Sequence, residues 1–505
     1  MRICRMRTGA EIILLAAIIL CFHGGLAPRT FPAEPSDTVR RRAPEEKASA
    51  AECLRLDLES ALGIAVTGNA ELRAIHAGRR IYDLSLAERL RDYFPTLSLS
   101  YSDSREVSMR DSDSRYRKLG AEASLDLYDG GRKGLAYDIA RLRALLARND
   151  YRIALNRLIA ETIKSYLELI QLKGIIEIHR KTLEHGLIQL ALIRKELELG
   201  EATRFNVLEI EAKVKEIELN LKKAVDNYEI ARNRFKIQLR LDWRTPIEII
   251  GDVENDFALH GPGGAPPVEE CVALAVKNRK EIESAEVEHS INVKSHRINR
   301  LYFLPRFSIG AGYSLSDPDG SSERFIPREK GWNLSLRVTS ALWGSTASGS
   351  LGLGENENAN SRSRSTSAQA DILNGMDYKR AIVESGIQVD ASGENRRSTR
   401  QQVSIEVLSS YMALENAWEM MGIADKQLAL YDSQLEIERL KADMGESKRY
   451  DLMKKEIERG EAAIARLESR VRYLTNSSIL ELAMGVDLGF LKLSKYRGTL
   501  DVQNP

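Results

Sequence analysis

Histidine, cysteine and glycine stand in this chain where catalysis or ligand binding would first be sought, and each placement falls short. His289 and His296 are seven residues apart and can share a helix face, while His179 and His185, six apart, fit one face poorly. Partly exposed helix histidines are the simpler reading of both pairs. Cys53 and Cys271 are too far apart in sequence for a paired-thiol metal or redox motif. Gly349-Ser350-Leu351-Gly352-Leu353-Gly354 imitates a phosphate loop, but its glycines are in the wrong order and no strand–turn–helix surrounds it. HExxH, a Walker lysine and the G-x-S-x-G elbow are all missing. The abundant Glu and Lys at helical spacing are solvated faces and interhelical ion pairs. No catalytic residue, cofactor or metal is therefore expected, and the chain reads as something other than an enzyme.

The larger pattern is a duplication. Ala65-Val66-Thr67-Gly68-Asn69-Ala70-Glu71-Leu72 returns as Ala275-Val276-Lys277-Asn278-Arg279-Lys280-Glu281-Ile282, and Pro95 returns as Pro305, both at an offset of 210. Ser165-Tyr166-Leu167 returns as Ser410-Tyr411-Met412, and Gly200-Glu201 as Gly445-Glu446, now at an offset of 245. The register holds, slips once by 35 residues and holds again, so two copies of one large unit follow each other.

Of 505 residues, 29% are charged, 6% are aromatic and 13 are proline, a usage suited to long packed helices. A net charge of +1 gives no electrostatic reason to expect nucleic acid. Residues 1–27 read as a secretory signal: Arg2, Arg5 and Arg7 precede the apolar run Ile12–Phe22, which is too short to span a bilayer. Cys21 raises a lipid-anchored alternative, against which Leu20 stands at a position that wants a small residue. Residues 28–53 form a polar leader. No later segment is apolar enough for a transmembrane helix, so membrane entry would require strands.

The first unit, 54–243, opens with a helix that Pro95 ends. Leu97, Leu99 and Tyr101 then alternate with Ser98, Ser100 and Ser102, and Leu119 to Leu127 alternate likewise, predicting a β-hairpin over 96–128. A proline-free stripe follows, predicting a helical hairpin over 130–240 whose first arm is roughly 100 Å long. Residues 244–267, with four prolines and four glycines, form a linker. The second unit, 268–491, repeats the plan with a β-hairpin over 306–343 and a helical hairpin over 376–485, before a tail at 492–505. The 35-residue slip is assigned to a Ser/Asn/Gly-rich insert, 344–370, expected to be flexible. Four strands cannot close a pore, so strands in a membrane would demand an oligomer. Neither unit is expected to hold a core of its own or to fold alone.

In this order and doubling, the chain resembles the TolC-like outer-membrane efflux proteins. The resemblance runs from about Leu54 to Leu491 and rests on Ala65-Val66-x-x-Asn69-x-Glu71-Leu72, Phe94-Pro95, Leu304-Pro305 and Leu127-Tyr128-Asp129-Gly130-Gly131. Gly200 with Asn206-Val207-Leu208, and Gly445 with Asp451-Leu452-Met453, carry it further. It implies a mainly α fold with a small β part. Long antiparallel helical hairpins would form a trimeric α-barrel, continued by a 12-stranded β-barrel with four strands per protomer. It also implies a passive exit duct in the outer membrane with a periplasmic helical extension. The duct would serve a periplasmic adaptor and an inner-membrane RND or ABC transporter, for efflux or type I secretion. The hairpin tips, Leu199-Gly200-Glu201 and Met444-Gly445-Glu446, would dock the adaptor. Asp451 matches a gate acid of the family, but Lys454 stands where a second acid belongs, which leaves at most a ring of single Asp451 residues. A periplasmic coiled-coil adaptor or scaffold is the rival reading, against which the two alternating hairpins weigh.

Overall fold

The computed structural model describes residues 54–106, 114–251, 257–259, 265–317, 325–342, 344–356, 361–375, 377–444, 448–486 and 494–496. The signal, the leader, Cys21, Cys53, Gly445 and Glu446 lie outside the described residues.

Strand β1 (Leu54–Leu56) leads into α1 (Leu58–Gly68) and α2 (Ala70–Arg91). Asn69 divides the two helices, its Oδ1 accepting from the Leu72 amide at 2.9 Å and so capping α2. Then come β2 (Thr96–Glu106), β3 (Ser114–Tyr128), α3 (Arg132–Glu198) and α4 (Arg204–Gln238). Short strands β4 (Ile247–Ile249) and β5 (Phe257–Leu259) precede α5 (Val268–Asn278) and α6 (Lys280–Arg300). The chain continues through β6 (Arg306–Asp317), β7 (Glu329–Leu342), β8 (Ser345–Asn356), β9 (Ser361–Asp371), α7 (Asp377–Asp443), α8 (Arg449–Ala483) and β10 (Ser494–Tyr496). Within the linker region β4 pairs in parallel with β1, and β5 pairs with β10.

The duplication is visible as equal helix lengths. Helices α3 and α7 each have 67 residues, and α4 and α8 each have 35. Such arms hold together because apolar residues recur on one face: Ile159, Ile163, Tyr166, Leu167 and Ile170 are buried in α3, and Val471, Leu474 and Leu480 in α8. The helices lie in the order α4–α3–α8–α7 towards the tips, and α2–α3–α6–α7 nearer the sheet. Two core clusters flank the middle of the long helices. One joins Leu62, Tyr166, Leu169, Phe235 and Leu239 with Val471 and Leu474 of the second unit. The other, with Cys271, Val407, Leu414, Tyr473 and Met484, is drawn entirely from the second unit. The expectation that neither unit owns a core is thus corrected. Leu169, Phe235 and Leu239 answer at offset 245 to Leu414, Leu480 and Met484.

The sheet is larger than the alternating segments alone predict. Six antiparallel strands run in the order β2-β3-β6-β7-β8-β9, not four. Residues 344–370, expected to be a flexible insert, supply β8 and most of β9, paired from Leu342↔Ser345 along β7 and from Thr346↔Asp371 between themselves. Their Ser and Gly content makes the segment polar but does not remove the period of two. Ala347, Leu351 and Leu353 alternate with Ser348, Ser350 and Gly352. The ladder with β7 satisfies the backbone whatever the side chains are. Among the described residues the single chain forms no closed barrel, and β2 and β9 are the edges of this sheet.

Candidate functional site

The two faces of the sheet differ in kind. Along the register, Leu97, Ala123, Ala311, Leu334 and Leu353 lie in one row, and Leu99, Ala121, Tyr313 and Trp332 in the next. The opposite face carries Ser98, Ser100, Glu122, Gly310, Gly312, Ser335 and Gly352. A sheet so divided fits lipid on its apolar side and water on its polar side.

A collar joins sheet to helices. Arg132, at the start of α3, donates to the backbone carbonyls of Leu301 at 2.6 Å and Tyr302 at 3.0 Å, where α6 ends. Burial beside Arg306 pulls its guanidinium below the usual arginine range. Tyr302 stacks on Tyr378 with ring centres 5.3 Å apart, tying the same turn to α7. Gly130 turns with φ +76°, and a Cβ there would come within 2.9 Å of the Leu304 Cβ, so glycine is required.

At the far end α3 closes in a Schellman turn. Gly200 has φ +81°, its amide donates to Leu197, and the Glu201 amide reaches back to Glu196 at 2.8 Å. Thr203 then caps α4 through the Asn206 amide. Leu199, Gly200, Glu201 and Met444 are all exposed, so the structure brings these tip residues to the surface. Leu452 and Met453 are buried in the first turn of α8, while Asp451 and Lys454 share its exposed face. No ion pair joins Asp451 to Lys454 among the described residues.

Two features near the tips have no signature in the sequence. The Arg449 Nε sits 2.9 Å from Glu196 Oε1, linking the second tip to the first across 253 residues of sequence. Deeper along α8, Glu456 is 6% exposed beside a crevice that His185 and Arg439 also line. Arg439 lies 3.5 Å from its Oε1, and Oε2 has no hydrogen-bond partner. Burial pushes the Glu456 carboxyl above the ordinary glutamate range, against the pull of His185 and Arg439. A raised carboxyl favours the folded state below its unfolded pKa, and that preference is lost as pH rises through the folded value. Glu456→Gln is therefore expected to be at least as stable as the parent at neutral pH. It should also flatten the parent's gain in stability on acidification towards 4.5. Denaturant midpoints of both proteins measured between neutral and mildly acid pH check this; parallel profiles would refute it.

His289 and His296 do share one face of α6. Their Nδ1 atoms lie 3.0 Å from Ser392 Oγ and 2.9 Å from Ser385 Oγ on α7. Both hydroxyls donate to their own helix backbone, which leaves each oxygen to accept from an Nδ1–H. They are helix-packing contacts, and no cluster of metal-ligating side chains occurs among the described residues.

With this geometry in place, the likenesses to known proteins become specific. Residues 62–236 match the outer membrane efflux protein family. The outer membrane efflux protein BepC of Brucella suis is 27% identical over 155 residues, which cover 31% of this chain and 34% of BepC. The matched stretch thus spans about a third of that relative's length. Solved structures extend the likeness over both units. The VceC outer membrane protein of Vibrio cholerae superposes with a TM-score of 0.69 at 14% identity, over 85% of this chain and 96% of VceC. The open-state MtrE outer membrane channel of Neisseria gonorrhoeae does so with 0.69 at 17% identity, over 85% and 89%. Over residues 62–236 the chain thus resembles the outer membrane efflux proteins, and over both units it shares the fold of the VceC and MtrE structures. No described helix is long and apolar enough to cross a membrane.

Proposed function

We propose that the chain is a passive exit duct of an efflux assembly, closed as a ring of three copies. The observation that supports this reading is that both layers end in unpartnered edges on the same two sides. The sheet ends in β2 and β9, and the helical layer ends in α4 and α7. Helix α7 exposes Ile423, Leu430 and Ile437 in a row of sevens, and α4 exposes Leu208, Leu219 and Ile230. At offset 245 these rows answer to faces already paired inside the chain. Ile423 and Leu430 correspond to Ile178 and His185, which face α8 across the crevice, and Leu208 corresponds to the buried Met453. The edge of one copy is thus shaped like the partner that the next copy's edge requires, a head-to-tail contact that closes into rings.

A wide duct recognises little, so the choice of cargo falls to an inner-membrane RND or ABC transporter, reached through a periplasmic adaptor at the exposed tips. Small molecules and secreted proteins both fit such a duct. A ring in the outer membrane should migrate as a heat-modifiable oligomer from outer-membrane fractions. Recovery of the chain from the periplasm without detergent would instead support a coiled-coil scaffold.

Asp451 and Lys454, exposed at the mouth of the tips, are proposed to set its electrostatics. Removing the acid with Asp451→Ala should lower cation block, and Lys454→Glu should strengthen it, each changing conductance in planar bilayers by a few tenths or more. Unchanged conductance and block in both variants would remove the gate role.

A further inference from the structure

The duplication shows which strands are extra. At offset 210, β6 answers to β2, and at offset 245, β9 answers to β3, so the 35-residue slip amounts to one added pair of strands. We propose that the added pair lies in the barrel wall. The free edge of β9 then docks on the β2 edge of a second copy, and three copies close eighteen strands, six from each, around a widened lumen. This rests on the ring of copies proposed above and departs from the 12 strands that the resemblance implies.

Continuity of the ladder is the first support. Strand β8 pairs with β7 from Gly331↔Asn356 to Leu342↔Ser345, and β9 pairs with β8 from Thr346↔Asp371 to Asn356↔Ser361, with no register shift in either. A β7–β8 pair folded out of the wall would break the second of these ladders, and with it the ladder between β6 and β7. It would also leave two strand edges unsatisfied in lipid, where no water is at hand to pair with the orphaned backbone groups.

Continuity of the faces is the second. Leu351 and Leu353 extend the rows of Leu336 and Leu334 on β7, and Ala368 and Ala370, across from Gly349 and Ala347, stand on the same face of β9. Arg362 and Arg364 point to that same side but lie at the end of β9 far from α7, where long side chains can reach headgroup phosphates. Ser350, Gly352, Ser365 and Ser367 prolong the polar face with small hydroxyl side chains or none.

Slope is the third. Leu97, one residue into β2, shares a row with Arg364, seven residues short of the end of β9, a stagger of six across the sheet. At about 3.3 Å per residue and 4.8 Å per strand, the strands tilt by roughly 40°, within the range of closed barrels. The occupant of the open edge follows from connectivity. Strand β9 leads into α7 and β2 follows α2, so each sheet edge lies on the same side as the helical edge that faces a second copy. Both edge strands have 11 residues, which lets them pair along their full length.

Barrel diameter grows about linearly with strand number, so the lumen would be about one and a half times as wide as a 12-stranded one, with about twice the cross-section. Single-particle imaging of the full chain in detergent tests this. A ring of three copies with eighteen strands is expected. A ring of three with twelve strands, the hairpin lying outside the wall, would overturn the inference while leaving the duct intact. Absence of a ring would overturn both. Deleting residues 329–356, the added pair β7 and β8, should narrow the imaged barrel by about a third; a deletion variant with an unchanged barrel would also count against the inference.

Discussion

Asp317→Ala is expected to cost about 3–5 kcal/mol of sheet stability, because it strands a buried cation. Arg117 and Asp317 are direct register partners on β3 and β6, where the sheet passes from the first unit to the second. The Arg117 Nη2 lies 2.6 Å from Asp317 Oδ2, and both side chains are 2% exposed. Phe325 covers the guanidinium, its ring centre 5.9 Å from Arg117 Cζ, and also meets Tyr101 edge-on. The Ile326 amide and Arg328 approach the same carboxylate, at 3.4 Å and 3.8 Å. Removing the carboxylate therefore leaves Arg117 under an aromatic lid with its main counterion gone, and loosens the segment that forms the lid. Replacing both members, as in Arg117→Met with Asp317→Leu, should recover most of the loss, since an apolar pair of similar volume needs no desolvation. Urea unfolding of the detergent-solubilised protein, followed by heat-modifiable migration, measures the difference. A loss under about 1 kcal/mol in the single variant, or a double variant no better than the single, would refute this account.

What could be read from sequence was what repeats with contrast. Helix α3 runs proline-free for 67 residues with one apolar stripe, and no competing period disturbs it. Strand β2 alternates Leu with Ser over a polar background, so its two faces declare themselves. Strands β8 and β9 alternate too, but Ser against Gly, Ala and Arg gives so little contrast that composition pointed to disorder. Their order comes from the edge of β7, a partner that no local window contains. The buried Glu456 was hidden differently. On a helix dense in Glu and Lys nothing local separates one buried carboxylate from its solvated neighbours. Only the arrival of α3 and α7 encloses it. The Arg117–Asp317 and Glu196–Arg449 pairs span 200 and 253 residues of sequence, so both depend on the tertiary arrangement.

Charge reversal at the tip pair is the second change expected to have a large effect, and here the readout is passage. Arg449 and Glu196 are 22% and 27% exposed, shielded enough that the pair outweighs an ordinary surface bridge. Arg449→Glu would set two carboxylates where an ion pair held α8 against α3, a juxtaposition that costs several kcal/mol. The duplication sharpens the consequence. At offset 245 Arg449 answers to Arg204, but Glu196 answers to Lys441, so in the proposed ring the corresponding seam between copies would bring two cations together in place of a bridge. Within a ring, the link inside each chain would then be the attractive one at this level, and losing it should let the tips splay. Arg449→Glu is expected to raise single-channel conductance at least twofold and to sensitise cells to bulky antibiotics that the parent excludes. Restoring opposite charge with Glu196→Arg in the same chain should return both readouts towards the parent. Lys441→Glu, which supplies the missing acid at the seam between copies, should tighten the tips and lower conductance. If Arg449→Glu leaves conductance and antibiotic exclusion at parental values, the pair holds two helices together without governing the mouth of the duct.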